Sequence, residues 1–269
     1  MTVDDALALA RQLGVERGDA QTLIGHLTGH DRAWLIAHGD ALVTDAAAAL
    51  RRLAAGEPLA HLTGCQPFHG LMLQVTPATL IPRADTETLV DWALELLADL
   101  PGQPSVVDLG TGSGAIALAI KAACPRAKVT AVDFSADALA IARANGERLA
   151  LSVDWHHGSW FAPLAGQHVD LIVSNPPYIA ANDPHLPALR HEPITALTAG
   201  GNGMADLQTL IDAAPQHLNA GGWLLLEHGW DQAAAVADSL GGRGFTQVQL
   251  RRDLGDRPRA SGGCWPATN

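Results

Sequence analysis

The first sixty residues carry apolar positions at helical spacing, interrupted by glycines and polar caps. Ala6, Leu9, Ala10 and Leu13 fall on one face of a predicted first helix, which Gly14 ends. The polar residues expected to open successive helices are Thr2 or Asp4, then Asp19, Asp31 and Thr44. The last of these helices is alanine-rich and is expected to end at 56–58. The pattern predicts a small helical bundle over residues 1–64.

The pattern then changes to short alternating segments punctuated by glycine and proline. Leu71, Leu73 and Val75 alternate with Met72 and Gln74, which favours a β-hairpin linker over residues 65–82. A cluster of Thr, Asp and Glu at 85–88 is expected to cap a helix over residues 88–100.

From residue 105 onward, apolar runs of strand length alternate with helical stretches. The predicted strands are 105–109, 128–133, 152–156, 169–174, 222–227 and 245–250, and the predicted helices are 115–123 and 136–149. This alternation predicts an α/β domain over residues 83–269 with a mostly parallel, doubly wound sheet.

A stiff polar turn follows the most apolar of these runs. Asn175-Pro176-Pro177-Tyr178 comes directly after the predicted strand 169–174. The prolines end the strand because they fix φ and supply no N–H. An amide and an aromatic ring are therefore expected at the carboxyl edge of the sheet, where open α/β sheets bind their ligands. Taken alone, the tetrapeptide is equally compatible with a simple loop that ends the strand.

A second candidate element is a glycine-rich turn between the first strand and first helix of this domain. Its residues are Gly110, Thr111, Gly112, Ser113 and Gly114. Their spacing differs from the G-x-G-x-x-G of dinucleotide-binding folds, so no pyrophosphate ligand is required. Glycines let the backbone approach a ligand closely, in front of the positive end of a helix.

Asp133 closes the second strand of the domain and strengthens the prediction that the glycine-rich turn binds a ligand. A carboxylate at that position can accept both hydroxyls of a ribose. It could instead cap the following helix, a role that Ser135 can also fill.

Composition and charge narrow the function classes. The 269 residues are 48% hydrophobic and carry a formal net charge of −11, so the chain has no general attraction to phosphate backbones. Three cysteines with wide spacing suggest neither a disulfide framework nor a metal site, and His26, His30 and His38 lack a carboxylate or thiol partner. We expect a cytoplasmic protein with no bound metal, no signal peptide and no membrane span.

Together these motifs resemble the S-adenosylmethionine-dependent methyltransferases of class I, with a Rossmann-like seven-stranded sheet. Further stretches resemble one family closely, the peptide chain release factor glutamine methyltransferases (HemK/PrmC). They are residues 80–87, 174–179, 183–186, 192–193 with 196–197, 200–203 and 225–229. The resemblance covers nearly the whole chain, including the helical segment and the hairpin.

The resemblance implies an activity and a set of roles. The activity is N5-methylation of the glutamine in the Gly-Gly-Gln motif of class 1 peptide chain release factors, with S-adenosyl-L-homocysteine as the second product. The loop 110–114 and Asp133 would bind the cofactor, and Trp160 would pack near its adenine, although a core role is equally compatible. Asn175 would touch cofactor and substrate. The catalytic set would be Asn175, Pro176 and Tyr178, and Pro177 would complete the substrate pocket. Residues 1–64 would recognise the release factor, with a monomeric enzyme and no direct nucleic-acid contact.

Two other functions are compatible with parts of the pattern. DNA adenine methyltransferases share the tetrapeptide, but they need a basic recognition region, and residues 1–66 hold five Arg against eight Asp or Glu. The arginines at 243, 251, 252, 257 and 259 form the one basic cluster, for which we expect a solvated surface role. A non-catalytic cofactor-binding protein is disfavoured by the intact loop, Asp133 and Asn175.

The sequence also departs from the family pattern. Ala84 replaces a usual proline, and Ser159 stands where an acidic residue is common before the tryptophan. The serine at position 159 leaves open which residue recognises the adenine amino group. We make no prediction for the function of the tail, which contains Gly262, Gly263 and Cys264.

Overall fold

The computed structural model describes residues 1–199 and 201–267 and divides into two compact units, 1–65 and 66–269. Gly200, the first residue of the glycine-rich stretch 200–203, lies outside the described residues.

The first unit is helical. Its helices are α1 (Val3–Gln12), α2 (Arg17–Thr28), α3 (Arg32–Ala37), α4 (Ala46–Ala54) and α5 (Leu59–Thr63). Val3, Leu23, Ile24, Leu35 and Leu50 form its core. Apolar residues at helical spacing therefore bury one face of each helix, as the pattern predicts.

Side-chain caps explain two of the helix starts. Thr2 and Asp5 each accept the other's backbone N–H at 3.1 Å, so Thr2, not Asp4, opens α1. Asp31 accepts the Trp34 N–H at 2.8 Å and opens α3 as predicted. The prediction for Asp19 is wrong because α2 begins at Arg17. Asp19 lies in the first turn, where a negative charge favours the helix dipole.

Two further corrections concern the fourth and fifth helices. The N-cap of α4 is Asp45 and not Thr44. α4 ends at Ala54, just before the predicted 56–58, but a further short helix, α5, follows at Leu59 with Pro58 as its N-cap.

A β-hairpin opens the second unit. Strands β1 (Cys65–Phe68) and β2 (Leu71–Gln74) form a two-stranded sheet joined by His69 and Gly70. Both turn residues have positive φ, 45° and 76°, as a type I′ turn requires. The buried Asn145 accepts the Gln74 N–H at 2.7 Å and donates to the Gln74 carbonyl at 2.9 Å.

The rest of the second unit alternates strands and helices. In chain order the elements are α6 (Glu87–Asp99), β3 (Ser105–Leu109), α7 (Ala115–Ala123), β4 (Lys128–Asp133), α8 (Ala136–Leu149), β5 (Asp154–His157), β6 (Val169–Ser174), α9 (Ala205–Ala213), β7 (Leu218–Glu227), α10 (Ala233–Arg243), β8 (Thr246–Arg252) and β9 (Pro258–Cys264). A 3₁₀ turn, Ala84–Thr86, precedes α6. The sheet order is β5-β4-β3-β6-β7-β9-β8, with β9 antiparallel to both neighbours and the other pairs parallel.

This sheet confirms the α/β prediction and shows why its central runs are so apolar. Leu171 and Val173 of β6 enter one core with Trp92 of α6, whereas Ile172 enters the other with Leu207 of α9. Helices therefore cover both faces, and a strand buried on both faces needs apolar residues at consecutive positions.

Some elements differ from the prediction. The sequence patterns miss α9, α10 and β9. The expected cap of α6 by its Thr/Asp/Glu cluster is wrong: α6 has no side-chain cap hydrogen bond, and Thr86 points instead toward Asn175.

Candidate active site

The carboxyl ends of three neighbouring strands converge on one cavity of about 260 Å³ in the second unit. The glycine loop follows β3, Asp133 ends β4, and Asn175 follows β6. The lining includes Gly110, Gly112, Asp133, Phe134, Ser159, Trp160, Asn175, Pro177, Thr195 and Asp206. A doubly wound sheet places its ligands at this edge.

Left-handed backbone shapes the glycine loop. Gly110, Gly112 and Gly114 have φ of 75°, 57° and 84°. A Cβ at Gly110 would lie 3.3 Å from the Trp160 ring, and one at Gly114 would lie 3.0 Å from Leu118. Glycine is therefore required at both positions, for conformation and for space.

Two predicted loop residues point away from the cavity. Thr111 and Ser113 are buried and are not among its lining residues. The Thr111 hydroxyl donates to Asp108 Oδ2 at 2.6 Å, and the Ser113 carbonyl accepts from Asn145 at 3.0 Å. Gly114 likewise lies outside the lining and caps α7.

Asp108 is a fully buried carboxyl beneath this loop. Burial raises its pKa to about 7, against the opposing hydrogen bonds from Thr111 and the Ala117 N–H. Its Oδ1 is buried and has no hydrogen-bond partner in the described residues.

Asp133 holds the loop in place from the end of β4. Its carboxylate accepts the Gly112 N–H at 2.7 Å and the Ser135 N–H at 2.8 Å. Burial raises its pKa, partly offset by these hydrogen bonds. The Ser135 hydroxyl accepts the Ala138 N–H at 3.2 Å and so caps α8, which leaves Asp133 free of that role.

Trp160 belongs to the cavity wall and to the core together. Its ring packs against the apolar cluster under α9 and also faces Gly110. Its φ of 46° is unusual for a bulky residue and aims the ring at the loop.

The tetrapeptide after β6 is held on several sides. Ser174 donates to the Leu109 carbonyl at 2.6 Å, which ties the ends of β6 and β3 together. Asn175 Nδ2 donates to Thr86 Oγ1 at 3.3 Å. Gln232 Nε2 donates to the Tyr178 carbonyl at 3.0 Å. Of the four residues, Asn175 and Pro177 line the cavity, whereas Pro176 and Tyr178 are not among its lining residues.

Comparison with known proteins identifies the family. Residues 5–64 match the model of the PrmC N-terminal domain, and residues 87–231 match that of the methyltransferase small domain. The release factor glutamine methyltransferase of Xylella fastidiosa is 48% identical over 97% of this chain and 98% of its own length. Its Escherichia coli counterpart is 46% identical over 91% of both chains. This chain belongs to the release factor glutamine methyltransferase family.

Membership in the release factor glutamine methyltransferase family confirms the resemblance and makes the chain a methyltransferase. A crystal structure of a methyltransferase from Pyrococcus furiosus aligns with a TM-score of 0.56 over 81% of this chain and 98% of its own, at 19% identity. That likeness supports the seven-stranded methyltransferase fold.

Sequence reasoning missed Glu227, a buried carboxylate beside Tyr178. Its side chain is 1% exposed at the end of β7, and Tyr178 Oη donates to Glu227 Oε1 at 3.3 Å. Burial raises the pKa of Glu227 to about 7. Burial also raises the pKa of the Tyr178 hydroxyl, and the neighbouring carboxylate raises it further. Glu227 closes the predicted strand 222–227, and a carboxylate at the carboxyl end of a strand is the signal that could have found it.

The surface role expected for the arginine cluster is wrong for Arg259. Its side chain is only 11% exposed and lies 3.1 Å from Asp85 Oδ2 and 3.1 Å from Asp253 Oδ2. Position on the inner strand β9, not charge pattern, decides its environment.

A second wall of the cavity comes from residues before α6 and after the tetrapeptide. The buried carboxylate of Glu192 accepts the Ile81 N–H at 2.9 Å and forms an ion pair with Arg83. This joins two of the family-like stretches, 80–87 and 192–193, beside Pro193 and Thr195 of the lining.

The described residues contain no cluster of three or more His, Cys, Asp or Glu side chains suited to a metal ion. Across 1–199 and 201–267, no helix combines the length and apolarity needed to span a bilayer.

Proposed function

We propose that this enzyme methylates the side-chain amide nitrogen, N5, of the glutamine in the Gly-Gly-Gln motif of class 1 peptide chain release factors. S-adenosyl-L-methionine is the methyl donor. One observation carries the proposal: Asn175 and Pro177 line the same cavity as the glycine loop and Asp133. The turn that would recognise the substrate amide and the loop that would bind the nucleoside of the cofactor thus line the same cavity.

The chain's residues fit such a cofactor. Gly110 and Gly112 line the cavity with backbone alone, and the carboxylate of Asp133 can accept from ribose hydroxyls with its remaining lone pairs. Trp160 offers an apolar ring for adenine. Thr111, Ser113 and Gly114 would act by shaping the loop. The bound cofactor supplies an electrophilic methyl group on a sulfonium.

The substrate amide needs orientation because its nitrogen lone pair is delocalised. Asn175 Oδ1 accepts one N–H of the substrate glutamine, and the Pro176 carbonyl accepts the other. These contacts hold the nitrogen in line for transfer and stabilise the positive charge that grows on it. Tyr178 packs beside the planar amide and Pro177 closes the pocket. The nitrogen loses its proton after transfer, so no strong base is required.

The domain boundaries extend the proposal to the partner. Residues 1–64 recognise the release factor, 65–82 form the hairpin linker, and 83–269 carry the methyltransferase site. The enzyme acts as a cytoplasmic monomer on protein, without direct nucleic-acid binding and without a metal.

Transfer of labelled methyl groups tests the function directly. Purified enzyme and labelled cofactor are incubated with a class 1 release factor, with the same factor carrying Ala for the motif glutamine, and with double-stranded DNA. Label in the first substrate alone is expected. Label in DNA, or equal label in both release factors, would contradict the proposal.

A further inference from the structure

The segment that follows the tetrapeptide is a loop closed at its base. The Ile179 N–H donates to the Leu197 carbonyl at 3.0 Å, and the Ile179 carbonyl accepts the Ala199 N–H at 3.2 Å. Residues 180–197 therefore leave and return beside Tyr178, and we call them the wall loop. A displacement of the wall loop would act directly on the turn proposed to hold the substrate amide.

The wall loop forms one side of the cavity together with a distant part of the chain. The loop contributes Pro193, Thr195 and Ala196 to the lining, and the segment before α6 contributes Ala78, Thr79 and Leu80. These residues share the cavity with the glycine loop, Asp133 and Asn175. Two segments that lie far apart in sequence must therefore stay together for this side of the cavity to exist.

Glu192 joins the two segments. Its Oε2 accepts the Ile81 N–H at 2.9 Å, and its Oε1 forms an ion pair with Arg83. The Glu192 side chain is 3% exposed, whereas that of Arg83 is 41% exposed. Because a buried carboxylate is costly without its partners, these contacts favour the arrangement in which the two segments touch. We call Ile81, Arg83 and Glu192 the Glu192 clamp.

We propose that the Glu192 clamp holds this side of the cavity in its ligand-binding position before a ligand arrives. Glu192 and Arg83 are then positioning residues for methyl transfer. Neither is among the lining residues, so each acts through the lining residues beside it. A preformed wall spares the ligand the free energy of ordering the loop. The inference rests on the proposed function, since it takes this cavity as the place where cofactor and substrate amide meet.

Loss of the clamp should weaken binding more than it slows the chemical step. Only the closed fraction of the enzyme binds, so a closed fraction of about one in ten raises the apparent dissociation constant about 10-fold. Saturating ligand populates the closed form again, so kcat recovers. A group that takes part in the chemistry would instead lower kcat, and partial unfolding would lower the amount of active enzyme without a change in KM.

The variant Glu192→Ala removes both contacts of the clamp. The calorimetric dissociation constant for S-adenosyl-L-homocysteine and the KM for a class 1 release factor should each rise about 10-fold, while kcat stays within about threefold of the wild type. Glu95→Ala is the matched control, because Glu95 is 64% exposed and pairs with Arg251 outside the cavity lining. It should leave all three constants unchanged. An unchanged dissociation constant and KM in Glu192→Ala, or a lower kcat with an unchanged KM, overturns the proposal.

Variants of Arg83 test the ion pair separately. Arg83→Lys keeps a cation beside Glu192 and should bind S-adenosyl-L-homocysteine nearly as well as the wild type, whereas Arg83→Ala should bind it more weakly. Arg83→Ala should have no further effect in a Glu192→Ala background, because its partner is already absent. A double variant whose loss of affinity equals the product of the two single losses would show that the residues act independently, which overturns the clamp.

Limited digestion with trypsin reports on the wall loop without substrate or turnover. Arg190 is an exposed trypsin site within the loop. Cleavage after Arg190, located by mass spectrometry, tracks the population of the open loop. It should be slow in the wild type and in Glu95→Ala, slower still with S-adenosyl-L-homocysteine, and at least about 10-fold faster in Glu192→Ala.

This digestion keeps the result independent of the proposed substrate. Equal cleavage rates in the wild type and Glu192→Ala overturn the clamp even if the release factor is methylated. Faster cleavage and weaker cofactor binding in Glu192→Ala, with no methylation of any release factor by the wild type, support the clamp and overturn only the proposed substrate.

Discussion

At the scale of single residues, replacement of Asn175 should lower the rate of catalysis and leave cofactor binding nearly unchanged. Its proposed contact strengthens as charge develops on the substrate nitrogen, so Asn175→Ala should lower kcat at least 100-fold. The dissociation constant for S-adenosyl-L-homocysteine should change little, because the glycine loop and Asp133 remain. Asn219→Ala, which loses a hydrogen bond to Asp170 in the same sheet, is the matched control. Equal losses of kcat and cofactor affinity in Asn175→Ala would contradict the assigned role.

Asp133 should show the opposite behaviour. Asp133→Ala removes a charged acceptor for ribose and the anchor of the Gly112 N–H, so we expect cofactor affinity to fall about 10- to 100-fold. Isothermal calorimetry with S-adenosyl-L-homocysteine measures this directly. Asp154→Ala removes a more exposed carboxylate from the neighbouring strand β5 and serves as the control. An unchanged dissociation constant in Asp133→Ala would rule out the ribose role.

At the scale of elements, the segment after the tetrapeptide sets the position of Tyr178. Gly203 has a φ of 86°, and a Cβ there would overlap the Tyr178 carbonyl oxygen. Gly203→Ala should therefore displace the tetrapeptide and lower both kcat and thermal stability. Gly201→Ala introduces the same backbone strain, at a φ of 66°, with no atom within 4 Å of the new Cβ.

The two glycine variants thus differ in the overlap that a Cβ at Gly203 makes with the Tyr178 carbonyl and with Gln232 Nε2, which itself donates to that carbonyl. Gly201→Ala should cost about 1–2 kcal/mol of stability and leave kcat unchanged, because the left-handed conformation alone carries that penalty. Differential scanning calorimetry and the methylation assay measure both quantities. Identical kcat values for the two variants would show that the Tyr178 contact does not matter.

Sequence patterns predict the central elements of the second unit well and its later elements poorly. β3, β4, β6, α7 and α8 match their predicted bounds because an apolar run or a helical stretch ends at a clear glycine, proline or cap. α9 and α10 begin without a side-chain cap, and α10 contains the pair Gly241 and Gly242, which argues locally against a helix. These helices form because their apolar faces pack on the sheet.

The site shows the same division between local and long-range information. Asn175, Asp133 and the glycine loop stand directly after strands, so their meeting could be expected from topology. Tyr178 and Glu227 lie far apart in sequence, as do Asp85 and Arg259, and each pair comes together only through the tertiary fold. β9 carries Gly262, where a Cβ would collide with Leu225 and Trp92, so its strand depends on tertiary packing and not on propensity.

At the scale of the whole molecule, buried carboxyl groups make stability depend on pH. Asp108 and Glu227 have native pKa values raised by burial to about 7, above the unperturbed values of 3.8 and 4.5. Between those limits the native state binds more protons than the unfolded state. The free energy of unfolding should therefore decrease as pH rises from about 5 to 7, with a slope of up to about 1.4 kcal/mol per pH unit for each group.

Urea denaturation between pH 5 and 8, followed by tryptophan fluorescence, measures this slope. Asp108→Asn cannot ionise, so its slope should be smaller than that of the wild type. Asp91→Asn changes an exposed carboxyl and should leave the slope unchanged. A wild-type stability that rises with pH over this range would contradict the raised pKa values.

The position of β9 has a consequence for the order in which the protein can assemble during synthesis. β8 leaves the ribosome before β9, yet it joins the sheet only through β9, which lies between it and β7. A growing chain that stops short of Pro258 can bring together the glycine loop, Asp133 and Asn175, all of which lie on earlier strands. It still lacks Arg259, which forms an ion pair with Asp85. The residues proposed to bind cofactor and substrate can therefore come together while translation continues, whereas the ion pair between Arg259 and Asp85 forms only once β9 has emerged.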